Sequence, residues 1–395
     1  MAGSLESALG AELQSIVAAK RWRQRRIVTP RVDTNPTAVW ANGRECINFC
    51  SNDYLGLSIH PQIRAAFVEA ANRYGTGAGA SHLVTGHGPE HEALEDELAQ
   101  FTGRSRALLF STGYMANLSI ASAIVRRDDH IFEDRLNHAS LLDAGRLSGA
   151  GFYRYAHADP DDLLRQLIAM PATQNQRRIV VTDGVFSMDG DLAPLKQLAG
   201  VCGREDAWLM VDDAHGFGVM GKDGRGSLEL SGVDAADVPI YMATLGKALG
   251  TFGAFIAGSA ELIDFLINRG RTYIYTTALP PAVAAASRAA LRVIQREAWR
   301  RERLSSHIER FRRGTEQVGL KLMPSRSAIQ PLVLGTEEAT LAASALLLDA
   351  GLLVTPIRPP TVPAGTSRLR ITLSAAHETA DIDRLIEALA TLPAA

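Results

Sequence analysis

Lysine is scarce in this sequence: Lys20, Lys196, Lys222, Lys247 and Lys321 are the only five, against 41 lysines and arginines together. Chemistry that needs a free amine, as distinct from a positive charge, therefore has few candidates, because arginine stays protonated. Cysteine is scarcer still. Cys46, Cys50 and Cys202 make an odd number with no C-x-x-C pair, which argues against a disulfide framework or a zinc knuckle and leaves reduced thiols as the expectation. Net charge is nearly absent, at −2, so neither nucleic acid nor an anionic membrane is an expected partner. Long apolar runs are lacking too. The longest, "ATLAASALLLDAGLLV", contains Asp349 and stops at Pro356, too short to span a bilayer. The opening "MAGSLESALGAELQSIVAAK" has glutamates at helical spacing where a secretory signal has a basic start and an apolar core, so a cytoplasmic protein is expected.

What is present is globular: 46% hydrophobic and 21% charged residues over 395 positions, room for two or three domains. Residues 1–26 read as an amphipathic helix ending in the basic run "KRWRQRR". That run is either a solvated helix end favoured by the dipole or a place where an arginine meets a substrate carboxylate. From about residue 106 short apolar runs ("RALLF", "DHIFE", "RRIVVT", "AWLMVD", "PIYMAT", "FGAFIAG") alternate with helical segments (114–125, 139–147, 159–170, 192–202), the pattern of a mainly parallel sheet covered on both faces. After about residue 285 long helical stretches lead to separated strands "IQPLVLG", "LLVTPI" and "SRLRITLS" and a closing helix, a smaller α+β domain. The expected division is 1–50 as an N-terminal helix and small segment, 51–285 as the large domain and 286–395 as the C-terminal domain.

In open α/β sheets ligands bind beyond the carboxyl ends of the strands, and the polar residues fall there. "RALLF" runs into Ser111-Thr112-Gly113-Tyr114, "DHIFED" into Asn137-His138, "RRIVVT" into Asp183 and Ser187, "AWLMV" into Asp212-Asp213-Ala214-His215, and "PIYMA" into Thr244 and Lys247. Five successive run-ends thus bring hydroxyls, imidazoles, carboxylates and one amine to a single sheet edge, which points to an enzyme. Lys247, in "TLGKALG", is the one lysine that follows an apolar strand into a small-residue turn. It is the best candidate for a Schiff base, where a partly desolvated amine acts as nucleophile. Asp212 and His215, with His138, could instead ligate a metal, but Asp-x-x-His is a weak zinc signature. A carboxylate at a buried strand end also suits the protonated ring nitrogen of pyridoxal phosphate (PLP), and this second reading uses Lys247 as well. The glycine-rich stretches "GTGAGA" (75–80) and "GFGVMGKD" (216–223) lack the context of a dinucleotide site or a P-loop. Ser111–Tyr114, where strand gives way to helix, is a better phosphate cradle, and Thr244 could add a hydroxyl to it.

The motifs "NFCSNDYLGL", "HASLLDAG", "TDGVFSMDGD", "MVDDAHGFGV", "TLGKALG", "YTTALPP" and "PPTVPAGTSRLRITLSAAH" occur in order from about residue 20 to the C-terminus. Together they resemble the α-oxoamine synthases, PLP enzymes of aminotransferase fold type I. The resemblance implies a mainly parallel seven-stranded sheet in a large domain plus a smaller α+β C-terminal domain. It implies that Lys247 holds the cofactor, Asp212 partners the pyridine nitrogen, His215 and Ser187 lie near the 3-hydroxyl, and His138 stacks on the ring. Gly113, Tyr114 and Thr244 match phosphate contacts. Asn52 and Arg370 match positions handling the amino-acid carboxylate, and Arg26 (or its neighbour Arg25) and Thr361 match other substrate contacts. The "YTTALPP" segment, with Thr277 where serine is usual, looks like the stretch that reaches a neighbouring subunit's phosphate, implying a homodimer. Asp183 stands where glutamate is usual. The branch most resembled joins L-alanine to a pimeloyl thioester, carried by CoA or acyl carrier protein, with loss of carbon dioxide, in biotin biosynthesis; no metal is implied. The rivals are a sister glycine C-acetyltransferase and, from another class, a metal-dependent hydrolase using His138, Asp212 and His215.

Overall fold

The computed structural model describes residues 4–30, 37–171, 173 and 175–393. Two compact units divide the chain: Asn52–Ser187 with Asp191–Arg303, and Met1–Ser51 with Met188–Gly190 and Leu304–Ala395.

The larger unit is built on seven strands: β1 (Arg106–Phe110), β2 (His130–Asp134), β3 (Gly151–Tyr155), β4 (Arg178–Asp183), β5 (Trp208–Asp212), β6 (Ile240–Thr244) and β7 (Ala254–Gly258). Their order across the sheet is β1-β7-β6-β5-β4-β2-β3. Neighbours run parallel except β7, which is antiparallel to both β1 and β6. The central strands are apolar on both faces, as a doubly covered sheet requires; β4 and β7 are buried along their whole length. One face packs Leu108, Ile131, Ile179, Met210, Met242 and Ile256 against Ile120 and Ile124 of α3 (Gly113–Ile124) and Leu141 of α4 (Ala139–Ser148). Earlier in the chain come α1 (Pro61–Tyr74) and α2 (Pro89–Thr102), and α5 (Pro281–Arg296) packs against both.

The smaller unit holds an antiparallel sheet in which Ser367–Thr372 lies between Ile329–Gly335 and Thr355–Ile357. A second sheet joins Val28–Pro30, Ala38–Ala41, Arg44–Asn48 and Leu352–Leu353.

Four features differ from the sequence reading. Residues 1–51 group with the C-terminal unit, because Arg44–Asn48 pairs in parallel with Leu352–Leu353; the larger unit continues past 285 to Arg303, because α5 packs on α1 and α2. The first helix is Leu5–Ala18, with no buried residue. It stops before the basic run because Lys20 takes a left-handed φ of 54°, which terminates a helix. The strand missing from the apolar runs is β3, "GFYRY", an edge strand whose residues are mostly half-buried and which therefore lacks a continuous apolar signature.

Candidate active site

The carboxyl ends of β1, β2, β4, β5 and β6 lie at one edge: β2, β4, β5 and β6 pair in parallel, and the reversed β7 between β6 and β1 gives β1 the same direction. The amine candidate leaves β6 in the connection to β7. Leu245 N–H donates to Gly253 O at 2.8 Å, Thr251 N–H to Leu245 O at 3.1 Å and Gly250 N–H to Lys247 O at 2.8 Å, so this turn is tied to itself. Gly250 has φ +68°, and a Cβ there would strike the backbone of Leu57 and Ser58. Half-buried Lys247 holds its Nζ 3.1 Å from His215 Nε2. His215 Nδ1 lies 2.5 Å from the Tyr54 hydroxyl, which also donates to Asn52 Oδ1 at 3.1 Å. Lysine, imidazole, phenol and amide thus form one line.

Asp212, which ends β5, and Asp213, which follows it, do different work, because successive residues of an extended chain face opposite ways. Asp213 turns into the protein, where Ser227 N–H (2.7 Å) and the Tyr241 hydroxyl (2.9 Å) donate to its Oδ2. Gly184, Gly216 and Gly226 wall it in; a Cβ on any of them would strike its carboxylate. Burial pushes its carboxyl up to about 7. Asp212 is buried at the strand end and accepts Asn117 Nδ2–H on Oδ2 (2.9 Å) and Ala214 N–H on Oδ1 (3.0 Å). Both partners are neutral donors.

Asn117, from α3, extends this arrangement. The same amide nitrogen donates to Ser140 Oγ at 2.9 Å, and Ser140 Oγ lies 2.7 Å from His138 Nδ1. Ser140 N–H also donates to His138 Nδ1, at 3.3 Å. With Nδ1 accepting, the network assigns the ring proton to Nε2. Burial pushes the His138 imidazole below its ordinary value, outweighing the charge of Asp212, so the ring is neutral at pH 7. His138 N–H donates to Asp183 Oδ2 at 2.7 Å, and burial, reinforced by the charge of Asp212, drives the Asp183 carboxyl well up.

At the end of β1, Thr112 caps α3 through Met115 N–H at 3.2 Å. Gly113 and Tyr114 occupy the first turn, whose N–H groups have no carbonyl within the helix and favour an anion. Thr244 Oγ1 donates to Gly253 O at 2.9 Å and accepts Gly246 N–H at 3.2 Å. Its single proton is thus committed to the turn. Ser187 is half-buried in the loop after β4, and Thr277 is exposed between helices, beside Ala278, whose N–H bonds Ala80 O at 2.9 Å. Asn52 belongs to the larger unit; Arg26, Thr361 and Arg370 belong to the smaller. There Arg370 is buried in its strand and donates to Thr372 Oγ1 at 3.0 Å, Thr361 accepts from Arg23 at 3.0 Å, and Arg25 and Arg26 are both exposed.

The scan against family models matches residues 44–389 to "Aminotransferase class I and II". The chain belongs to this family. Among curated relatives, the 8-amino-7-oxononanoate synthase of Methylococcus capsulatus is 59% identical over 96% of both chains, and that of Cellvibrio japonicus is 56% identical over 98% of this chain and 96% of its own. Among solved structures, Sphingomonas wittichii serine palmitoyltransferase superposes with a TM-score of 0.92 at 33% identity, covering 99% of this chain and 98% of its own. An 8-amino-7-oxononanoate synthase from Francisella tularensis gives 0.75 at 31% identity, over 87% and 97%. The expected family resemblance and type I fold are therefore correct.

The donor set fits PLP, the cofactor of this fold family. Asp212 offers a buried negative charge with only neutral partners, the complement of a ring N–H⁺; α3 offers an anion-binding first turn, and Lys247 an amine. The metal alternative fares worse. His138 Nδ1, both oxygens of Asp212 and both ring nitrogens of His215 already hold hydrogen-bond partners. Among the described residues, the three-ligand group that converges is His87, Glu92 and Glu95, elsewhere in the fold. Sequence reasoning missed Asn117, Ser140 and Tyr54. Asn117 and Ser140 lie within helices, and Tyr54 lies far along the chain from its partner, so no strand-end rule reaches them.

Proposed function

We propose that the chain condenses L-alanine with a pimeloyl thioester, of CoA or of acyl carrier protein, releasing carbon dioxide and the thiol carrier and yielding 8-amino-7-oxononanoate for biotin synthesis. The observation that carries this reading is the Lys247–His215–Tyr54 line beside the buried Asp212 carboxylate, in a chain that matches synthases of that name along nearly its whole length. PLP, when bound, supplies the electron sink for the carbon next to the substrate amine. Asp212 supplies the counter-charge for its ring nitrogen, and Asn117 fixes the direction of that carboxylate. His138 presents a flat neutral imidazole whose Nε2–H is directed away from Ser140. Lys247 Nζ takes the Cα proton of alanine. His215 Nε2 accepts an N–H of that amine and so aims its lone pair, with Tyr54 bracing the imidazole from behind. Gly113 and Tyr114 hold the phosphate through backbone N–H groups, and Ser187 lies on the 3-hydroxyl side. Asn52 and Arg370 receive the alanine carboxylate, and Arg26 and Thr361 the acyl substrate. Two copies complete the enzyme, with Thr277 of one directed to the phosphate site of the other. The setting we propose is cytoplasmic; separately, among the described residues no helix is long and apolar enough to cross a membrane.

The test is a substrate matrix with PLP-loaded protein: L-alanine or glycine against pimeloyl- or acetyl-CoA, scoring free thiol and carbon dioxide. L-alanine with pimeloyl-CoA is expected to turn over fastest. Faster turnover of glycine with acetyl-CoA would overturn the assignment in favour of a glycine C-acetyltransferase.

A further inference from the structure

His157 takes no part in the chemistry above, yet both its ring nitrogens are aimed at carboxylates. Nδ1 lies 2.9 Å from Asp134 Oδ1 and Nε2 lies 2.8 Å from Asp191 Oδ2. Carboxylates only accept, and a neutral imidazole carries one N–H, so this geometry satisfies both bonds only in the imidazolium form. Asp134 ends β2 and is fully buried. Its two oxygens also accept Leu136 N–H (2.8 Å) and Ala158 N–H (2.7 Å), so it organises the loop that carries His138. Asp191 lies opposite Phe186, whose N–H donates to Asp191 O at 3.0 Å, and the bridge Val185–Leu192 closes the same turn. The Phe186 ring stands edge-on to His157, with centroids 4.4 Å apart at 85°. His138 follows Asp134 by four positions, and Asp191 follows Ser187 by four. One cation therefore ties the loop bearing the ring-stacking imidazole to the loop bearing the hydroxyl on the 3-hydroxyl side.

We propose that His157, held as an imidazolium between Asp134 and Asp191, is a positioning residue that keeps the His138 loop and the Ser187 loop in fixed register around the cofactor. This rests on the functional reading above only for what the two loops face. The charged groups that meet the ring are Asp134 from the end of β2 and Asp191 from the turn after β4, and together they raise its pKa to about 10 against the opposing effect of burial. Removing the cation leaves two carboxylates facing each other's loop without a counter-charge, so both loops shift while the sheet beneath them stays.

Three measurements on the PLP-loaded protein test this. Histidine ¹⁵N NMR of the wild type is expected to show both His157 nitrogens protonated at pH 8.5; a single N–H there overturns the proposal. His157→Gln, which keeps one donor nitrogen but no charge, is expected to fold with unchanged far-ultraviolet dichroism. It should lose PLP on dialysis faster than the wild type and lower kcat roughly ten- to hundredfold, with KM for the amino acid changed much less. Asp191→Asn is the milder variant, expected to show the same split, and the double variant should be no worse than His157→Gln alone. A folded His157→Gln that retains PLP and kcat within about twofold of the wild type overturns the assignment. If the wild type fails to join alanine to pimeloyl-CoA, the functional reading falls, while the NMR and PLP-retention measurements still decide the role of His157.

Discussion

At the scale of single residues, the site depends on which atom donates to which. Lys247→Ala removes the proposed base and is expected to lower turnover by about 10²–10⁴-fold from proton transfer alone; absorbance spectra would show the yellow of the loaded enzyme abolished. Asn117→Leu tests the other arm. It strips a donor from both Asp212 and Ser140, so it should destabilise the fold by about 1–3 kcal/mol, the cost of leaving buried acceptors unmet. Urea titration checks the stability, and equilibrium dialysis should show weaker PLP retention. Ser140→Ala keeps the Asn117–Asp212 bond while taking a donor from His138 and an acceptor from Asn117, so its PLP loss should be smaller than that of Asn117→Leu.

At the scale of elements, the connections matter more than the strands. Gly86 closes the turn His82–Gly86, and a Cβ on it would strike the Ala80 carbonyl and the Ala278 side chain. Gly86→Ala is therefore expected to push the 75–80 loop from the 278 segment at a cost of about 1–3 kcal/mol, read as a lowered thermal midpoint. These elements also show what the sequence could and could not reveal. Strands β1, β2 and β4–β7 were legible because strands buried on both faces are written as apolar runs, and the polar residues following them pointed to Lys247, Asp212 and His215 as candidates. The edge strand β3 was not legible, since its residues are mostly half-buried and leave no continuous apolar run. The choice between Asp212 and Asp213 rested on the family resemblance; the structure supplies the physical reason, which is the glycine cage around Asp213. Asn117 and His157 were illegible for a shared reason: each acts through a partner brought close by the crossover connections, and separation along the chain conceals such pairs. Ser140 lies only two residues from His138 but sits inside a helix, where the strand-end rule does not look.

At the scale of the whole molecule, buried ionisable groups set the pH response. Burial raises Glu133 and Asp213 to about 7 and Glu95 to about 8, and the flanking carboxylates raise His157 to about 10. Each folded pKa lies above its unfolded value, so each contribution is fully present below the unfolded pKa and is lost as pH rises through the folded one. Burial lowers His82 to about 3, with the opposite sign: its contribution is present above about 6.5 and is lost as pH falls toward 3. Above about pH 7.5 the unfolded His82 has also lost its proton and the remaining groups act in one direction, so the urea midpoint is expected to fall from there to about pH 10; a flat or rising profile would contradict the assignment. The reversed strand β7 has a further consequence. Because it returns beside β6, the turn carrying Lys247 closes between adjacent strands through bonds near in the chain, the class that forms fastest, and its approach to Leu57 and Ser58 follows. Asp212, His138 and Ser187 take their places only after distant crossovers have docked. A half-assembled chain thus owns its amine before anything tunes it, and retention of the coenzyme reports completion of the sheet, not of the hairpin.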